Sequence, residues 1–198
     1  MNKILLILCL VFLVSCFQKE VTSDQIVERQ ELVYEVNSTT PFTGVVLDYR
    51  DNGQLSERYK LKDGKKEGLY EIYYDNRWSS FTFKNDIQQG ESLEFHDNGQ
   101  LSKRYNFKDG KVEGLYEGYY ANGQLKIKGT YKNGEEHGES LEFHDNGQVS
   151  LKQTYKDGVL EGLYEDYHDN GQLKEKGSYE DGRKYQQGPT YNKDGTRY

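Results

Sequence analysis

The chain has very little cysteine. Cys9 and Cys16 are its two cysteines, both within the first sixteen of 198 residues, so no disulfide can staple anything that follows. Apolar residues are also scarce, at 34%, below the usual share for a globular domain. That excludes a thick Leu/Ile/Val core. Positive charge is in deficit, with a net charge of −7 and a pI of about 5.2. A nucleic-acid footprint needs clustered Lys and Arg, and anionic lipid attracts basic segments, so charge gives no reason to expect either partner. No Gly-x-Ser-x-Gly, Walker loop or kinase signature set occurs. No enzyme activity, cofactor, metal or small-molecule substrate is expected.

Long apolar runs are nearly absent as well. The one example, Ile4 to Val14, has eleven residues. It is too short to span a bilayer as a helix and suits a signal-peptide core. Lys3 precedes it, and Leu13-Val14-Ser15-Cys16 ends it. This end resembles the lipobox of bacterial lipoproteins, a small residue followed by a cysteine. The resemblance implies cleavage before Cys16 and lipidation of that residue; the alternative is a plain signal peptide or an N-terminal helix. Residues 1–15 are thus expected as a signal-peptide helix. Lipidation places the protein in the cell envelope, attached to the membrane through Cys16. Phe17 in place of Asp favours an outer membrane over an inner one in a Gram-negative cell. Residues 16–31 are polar and without period. They read as a tether, with a short helix around Gln25 to Glu31.

What the chain has in abundance is tyrosine and glycine, 18 and 21 residues. They recur on a beat. GESLEFHDNGQ occurs at Gly90 to Gln100 and again, unchanged, at Gly138 to Gln148, 48 residues later. Asn-Gly pairs at Asn98, Asn122, Asn146 and Asn170 are 24 apart. Units open at Gly44, Gly68, Gly90, Gly114, Gly138 and Gly162. A fixed period of this length signals a repeat architecture.

Counting from each opening glycine as zero, position 5 is Tyr49, Tyr73, Phe95, Tyr119, Phe143 or Tyr167, and position 11 is mostly Leu. Positions 3, 5, 11 and 17 carry the apolar residues. All are odd, which is the period of half-buried strands and puts one aromatic stripe on one face. For position 5 to face position 11, Asp-Asn-Gly must be a three-residue loop, a type I turn closed by a left-handed glycine. Gly53, Gly99, Gly123, Gly147 and Gly171 are therefore expected at positive φ. The same parity is expected at the Lys-Asp-Gly turns. A bulge at the opening glycine would spoil this count. The fold expected over residues 32–198 is all-β: a single-layer antiparallel meander of tandem hairpins, about twelve to fifteen strands at roughly 4.8 Å each.

Units such as Gly114-LYEGYYANGQLKIKGTYKNGEEH resemble the bacterial variant of the MORN repeat, and the array resembles YwqK-family antitoxins. The resemblance covers about Leu32 to Tyr198. It implies hairpin stacking, a protein partner and, for the antitoxin members, direct neutralisation of a toxin. A lipid-binding array is a further expectation of the resemblance, against which the acidic charge counts.

The unit at Gly68 departs from the pattern. Asn76-Arg77-Trp78 replaces Asn-Gly-Gln, and Arg77 meets a left-handed position that costs a non-glycine residue about 1 kcal/mol or more. Its second turn, Lys84 to Gln89, reads as two residues short. Trp78 is the chain's single tryptophan. It is either a binding anchor or filler over a kink. The candidate partner-binding residues are Tyr73, Trp78, Phe95, Tyr119, Phe143 and Tyr167. His96, His144 and His168 share position 6 but stand too far apart for one metal ion. Glu94 and Glu142 are copies of one repeat position rather than a catalytic pair. The function expected is a non-catalytic envelope lipoprotein whose array serves as a protein-binding or scaffolding surface; the alternative is an antitoxin or immunity component.

Overall fold

The structure is a computed structural model that describes residues 18–198. The expected signal-peptide helix and Cys16 lie outside the described residues. Among the described residues the regular structure is strand, apart from one 3-10 turn. β1 is Glu20–Thr22, β2 Ile26–Arg29, β3 Leu32–Glu35, β4 Gly44–Tyr49 and β5 Leu55–Lys62. β6 is Lys65–Tyr73, β7 Trp78–Lys84, β8 Ile87–Gln88, β9 Gly90–Phe95 and β10 Leu101–Lys108. β11 is Lys111–Val112, β12 Gly114–Tyr119, β13 Leu125–Lys132, β14 Glu135–Glu136 and β15 Gly138–Phe143. β16 is Val149–Lys156, β17 Val159–Leu160, β18 Gly162–Tyr167, β19 Leu173–Glu180 and β20 Arg183–Thr190.

From β4 to β20 each strand pairs antiparallel with its sequence neighbour in one sheet. The two-residue strands β8, β11, β14 and β17 are the first steps of the strands that follow them. Each is parted from its continuation at an opening glycine of positive φ, Gly90 to Gly162. Joined in this way the sheet has fourteen rungs, a ribbon about 65 Å long. It is the single-layer meander expected.

The first loop of each unit is the three-residue loop that the parity requires. Gly53 N–H donates to Arg50 O at 2.8 Å and Arg50 N–H to Gln54 O at 2.9 Å, a pattern repeated at His96, Tyr120, His144 and His168. Gly53, Gly99, Gly123, Gly147 and Gly171 have φ of 80° to 84°. Glycine fits there because any Cβ is strained in that region. Position 5 faces position 11: Tyr49 opposite Leu55, Phe95 opposite Leu101, Tyr119 opposite Leu125.

Immediately beyond that pair the register shifts. Asp48 pairs with Glu57, so Ser56 is an extra residue, and the same shift recurs in each hairpin that carries Asn-Gly. This bulge corrects the expectation of one apolar face. One inserted residue exchanges the two faces of the second strand for the rest of its length. Position 17 therefore joins positions 2 and 4, not 3 and 5. The Lys-Asp-Gly turns differ from expectation too. They are two-residue loops, with Asp63 at φ 51° and Gly64 at φ 79° and Lys62 opposite Lys65. Two left-handed residues in succession make the type I′ turn, whose twist matches the strands it joins.

The unit at Gly68 escapes its missing glycine by deleting the need for it. Tyr73 pairs with Trp78, and the hairpin β6–β7 runs without a register shift. Tyr74 N–H donates to Arg77 O at 2.7 Å, closing a two-residue loop in which neither Asp75 nor Asn76 has positive φ. One residue is gone from the loop and one from the bulge. The second turn is full length, with Asn85 and Asp86 in the left-handed conformation. The expected strain at Arg77 is thus absent, and Trp78 occupies the rung that leucine holds elsewhere.

The expected tether is folded from Glu20 onward. β1 pairs in parallel with β4, Val21 beside Val46, and β2 pairs with β3. In place of the short helix expected around Gln25 to Glu31, the chain forms β2 and a turn at Gln30 and Glu31, and a 3-10 turn, Ser23–Gln25, precedes them. The reason is apolar cover: Val21, Phe42, Val46 and Leu61 form a small core, with Ile26, Val33 and Tyr59 packed against it. The N-terminal strands close one end of the array, as terminal caps of repeat proteins do.

Candidate binding surfaces

The bulges sort the side chains of the array onto two faces. On the first lie positions 2, 4, 13, 15 and 17. Here rings gather in clusters. Tyr70 contacts Tyr59 at 5.4 Å and Phe83 at 5.7 Å between centroids. Tyr116 contacts Tyr105 at 5.1 Å and Tyr131 at 5.8 Å, and Tyr164 contacts Tyr179 at 5.1 Å. Between clusters the surface dips to Ser92 and Ser140, both buried. The rings lie over one another and over bare backbone: a Cβ on Gly177 would come within 2.6 Å of the Tyr164 ring.

Hydroxyls on this face keep polar partners, as rings of this kind need when half-buried. Tyr70 donates to Glu57 at 2.6 Å. Burial pushes the Tyr70 phenol up, and the Glu57 bond adds to it. Burial, and then the nearby Glu136, raise Tyr131 to about 12. The Glu136 carboxyl is itself raised, by burial first and by Glu142 second. All these phenols stay protonated at neutral pH.

The second face carries positions 1, 3, 5, 11, 14 and 16. Tyr73, Trp78, Phe95, Tyr119, Phe143 and Tyr167 all lie here, as one row along the loop side of the ribbon. Each is half-buried rather than exposed. Trp78 stacks on Phe95 with centroids 3.9 Å apart. Tyr119 and Tyr167 donate to Glu117 and Glu165 on their own strands at 2.9 and 2.8 Å. Beside the row runs a band of ion pairs, Arg58–Glu71, Arg104–Glu117 and Lys152–Glu139, each worth little in stability at this exposure. Leu69, Leu115 and Leu163 stand farther along the same strands, 45%, 52% and 73% exposed. The sequence pattern of odd positions did not single them out as surface residues.

The histidines of position 6 each lie against a backbone carbonyl of the next unit. His96 Nε2 lies 2.9 Å from Tyr119 O, His144 Nε2 3.0 Å from Tyr167 O, and His168 Nε2 2.8 Å from Tyr191 O. Tyr120 in the intervening unit does the same, donating to Phe143 O at 2.7 Å. Position 6 is a bridge from one loop to the next. Position 8 supports it, with Asn98, Asn146 and Asn170 donating to Ala121, Asp169 and Lys193 carbonyls. At the opposite edge the residue before each opening glycine caps the next turn: Asp109 N–H donates to Gln89 and Asn133 N–H to Glu113. A constant 23-residue interval between a position-6 donor and the ring residue of the next unit is the trace of this bridge in the sequence. Glu94 pairs with Lys103 at 3.3 Å, and no group of three metal-ligating side chains occurs among the described residues.

Four successive stretches, residues 88–109, 112–133, 136–157 and 160–181, match the MORN repeat variant. Over these residues the chain is similar to four tandem MORN-variant repeats. Each match begins on the short strand before an opening glycine and ends at the type I′ turn, so it encloses one hairpin and both of its edges. The units at Gly44 and Gly68 precede the matched stretches; the first shares the bulged hairpin geometry and the second has the shortened loop. MORN repeats are modules that bind proteins or membranes, and two uncovered faces suit that use. No curated protein matches the chain.

Proposed function

We propose that this protein is a non-catalytic lipoprotein of the cell envelope, anchored through Cys16, whose MORN-variant array is a docking surface for a protein partner. The observation that carries the binding face is the second face of the sheet. There the position-5 row, with Trp78, runs beside the exposed Leu69, Leu115 and Leu163, an amount of open apolar surface that soluble chains tend to cover. The lipobox-like Leu13-Val14-Ser15-Cys16 supports the anchor.

The test has two readouts in the same cells. Membrane fractionation and mass spectrometry of the mature N-terminus compare wild type with Cys16→Ser. The expected result is an acylated Cys16 as first residue and release of the variant from the membrane. A photo-crosslinking residue replaces Leu163 on the second face or Gln153 on the first. Protein adducts are expected from Leu163 alone. A soluble wild-type chain that keeps Met1 ends the envelope reading and puts direct neutralisation of a toxin in its place. Equal adducts from both faces end the assignment of the surface.

A further inference from the structure

The ladder of loop bridges has one gap, and it falls at the short loop. Arg50 at position 6 donates to Tyr73 O of the next unit and to the Asp75 carboxylate. His96, Tyr120, His144 and His168 each reach the next position-5 carbonyl. Tyr74 does not reach Phe95 O. It lies instead against Arg77, 4.8 Å from guanidinium carbon to ring centroid. The two-residue loop is too short to cover its neighbour, and a cavity of about 570 Å³ opens on the first face between Tyr74, Arg77, Phe81, Glu94, His96 and Asp97.

The acceptors left in this notch are the Phe95 carbonyl and the Asp97 carboxylate. They stand at positions 5 and 7, the same pair that Arg50 engages one unit earlier as Tyr73 O and Asp75. The chain therefore contains its own picture of what fills such a pair. A cation also takes the position-7 carboxylate at the far end of the array, where Lys193 pairs with Asp169. In the unit at Gly138 the matching carbonyl, Phe143 O, is already taken by Tyr120. Tyr49 and Asp51 open the array, where the Ser23–Gln25 turn after β1 takes the place of a preceding hairpin loop, Ser23 donating to Asp48.

We propose that the notch receives an arginine side chain of the partner protein, reaching round the loop edge from the second face, its guanidinium donating to Phe95 O and Asp97 and lying beside the Phe81 ring. A planar fork of donors fits a carbonyl and a carboxylate held side by side, and an aromatic face adds cation–π attraction. The charged and titratable groups facing the notch are Asp97, Glu94 with its Lys103 partner, His96, whose Nε2 is spent on Tyr119 O, Tyr74 and the opposing cation Arg77. This proposal rests on the reading of the array as a protein-binding surface.

The probe is acetyl-Gly-Arg-Gly-amide, with its citrulline counterpart as the uncharged control. Trp78, next to Arg77 and the sole tryptophan, reports binding by fluorescence in the intact protein. The expected result is saturable binding of the arginine peptide, weaker by about five-fold or more for citrulline and for Asp97→Asn. Asp145→Asn, the same change in a bridged unit, leaves it unchanged, and Arg77→Ala tightens it. Equal binding of citrulline, or no effect of Asp97→Asn, overturns the proposal. So does binding that appears only in Arg77→Ala, which would make Arg77 itself the occupant. Failure here leaves the crosslinking result at Leu163 untouched, and the reverse holds too.

Discussion

Trp78 lies flat on Phe95, 3.9 Å between ring centroids and 13° between ring planes, although the two side chains belong to successive hairpins. The stack stands where the loop ladder is broken, so it ties the unit at Gly68 to the next in place of a hydrogen bond. Trp78→Leu restores the residue type of the other units and removes the stack. The expected cost is about 1 kcal/mol, the worth of an aromatic pair beyond area burial. Urea unfolding followed by circular dichroism measures it; an unchanged midpoint means the stack contributes nothing.

The bridges of position 6 are interchangeable in kind, because histidine and tyrosine both reach the same carbonyl. His144→Ala is expected to lose about 1 kcal/mol, the net worth of one such hydrogen bond. His144→Tyr is expected to retain most of it. The comparison separates the bond from mere bulk, since both replacements are made at one site. Equal losses would mean that the bridge is not what holds the loops.

The unit at Gly68 shows that loop and bulge shorten together. Deleting both Gly147 and Ser150 converts the hairpin β15–β16 to the same form, with Val149 on the rung of Trp78. Deleting Gly147 alone leaves the bulge without its loop and puts the second strand out of register with its own face. The paired deletion is therefore expected to unfold at a higher temperature than the single one. A single deletion that proves the more stable would sink the link between loop and bulge.

Glu136 has its carboxyl raised by burial and by Glu142. Between its ordinary and its folded pKa the folded chain holds more protons than the unfolded one, so stability falls as pH rises from about 4.5 through that window. Glu136→Gln removes a charge that burial disfavours. Its melting temperature at pH 7 is expected above that of wild type, with the two converging near pH 4. A variant that melts lower at both pH values refutes this sign.

Much of the fold is legible in the sequence, because Asn-Gly and Asp-Gly state their backbone demands openly. Gly53, Gly99, Gly123, Gly147 and Gly171 stand at positive φ since nothing else closes a three-residue loop so cheaply. The bulge is not legible at its own site. Ser56, Ser102, Lys126, Ser150 and Lys174 are ordinary strand residues, and an extra rung leaves no mark on composition. Its trace lies elsewhere, in Tyr70, Tyr116 and Tyr164 at the even position 2. A single parity would set these rings on the face opposite Tyr131, Tyr155 and Tyr179; the bulge brings them together, with Tyr116 on Tyr131 and Tyr164 on Tyr179. The position-5 row was legible as a row, but not its sharing a face with Trp78, which stands at the even position 10 and comes opposite Tyr73 only through the shortened loop. Its half-burial was not, because part of the cover comes from the neighbouring hairpin, as Trp78 covers Phe95. Strands β1 and β2 were hidden by their polarity, since Val21 and Ile26 are enough to seal one end.

The bridges along both edges of the ribbon also have a sense of travel. At the loops the reaching side chain belongs to the earlier unit and the carbonyl to the later, as from His96 to Tyr119. At the turns the capping side chain again belongs to the earlier unit, as Gln89 holds the turn of Asp109. A backbone carbonyl or amide is present whatever the residue, so each of these bridges depends on the side chain of one unit only. A unit can thus be altered at these positions without disturbing its grip by the unit before it, and the damage passes forward to the unit after. Copies arising by duplication would find a ready seat on whatever precedes them, so the array can lengthen or diverge one hairpin at a time while its joints stay compatible.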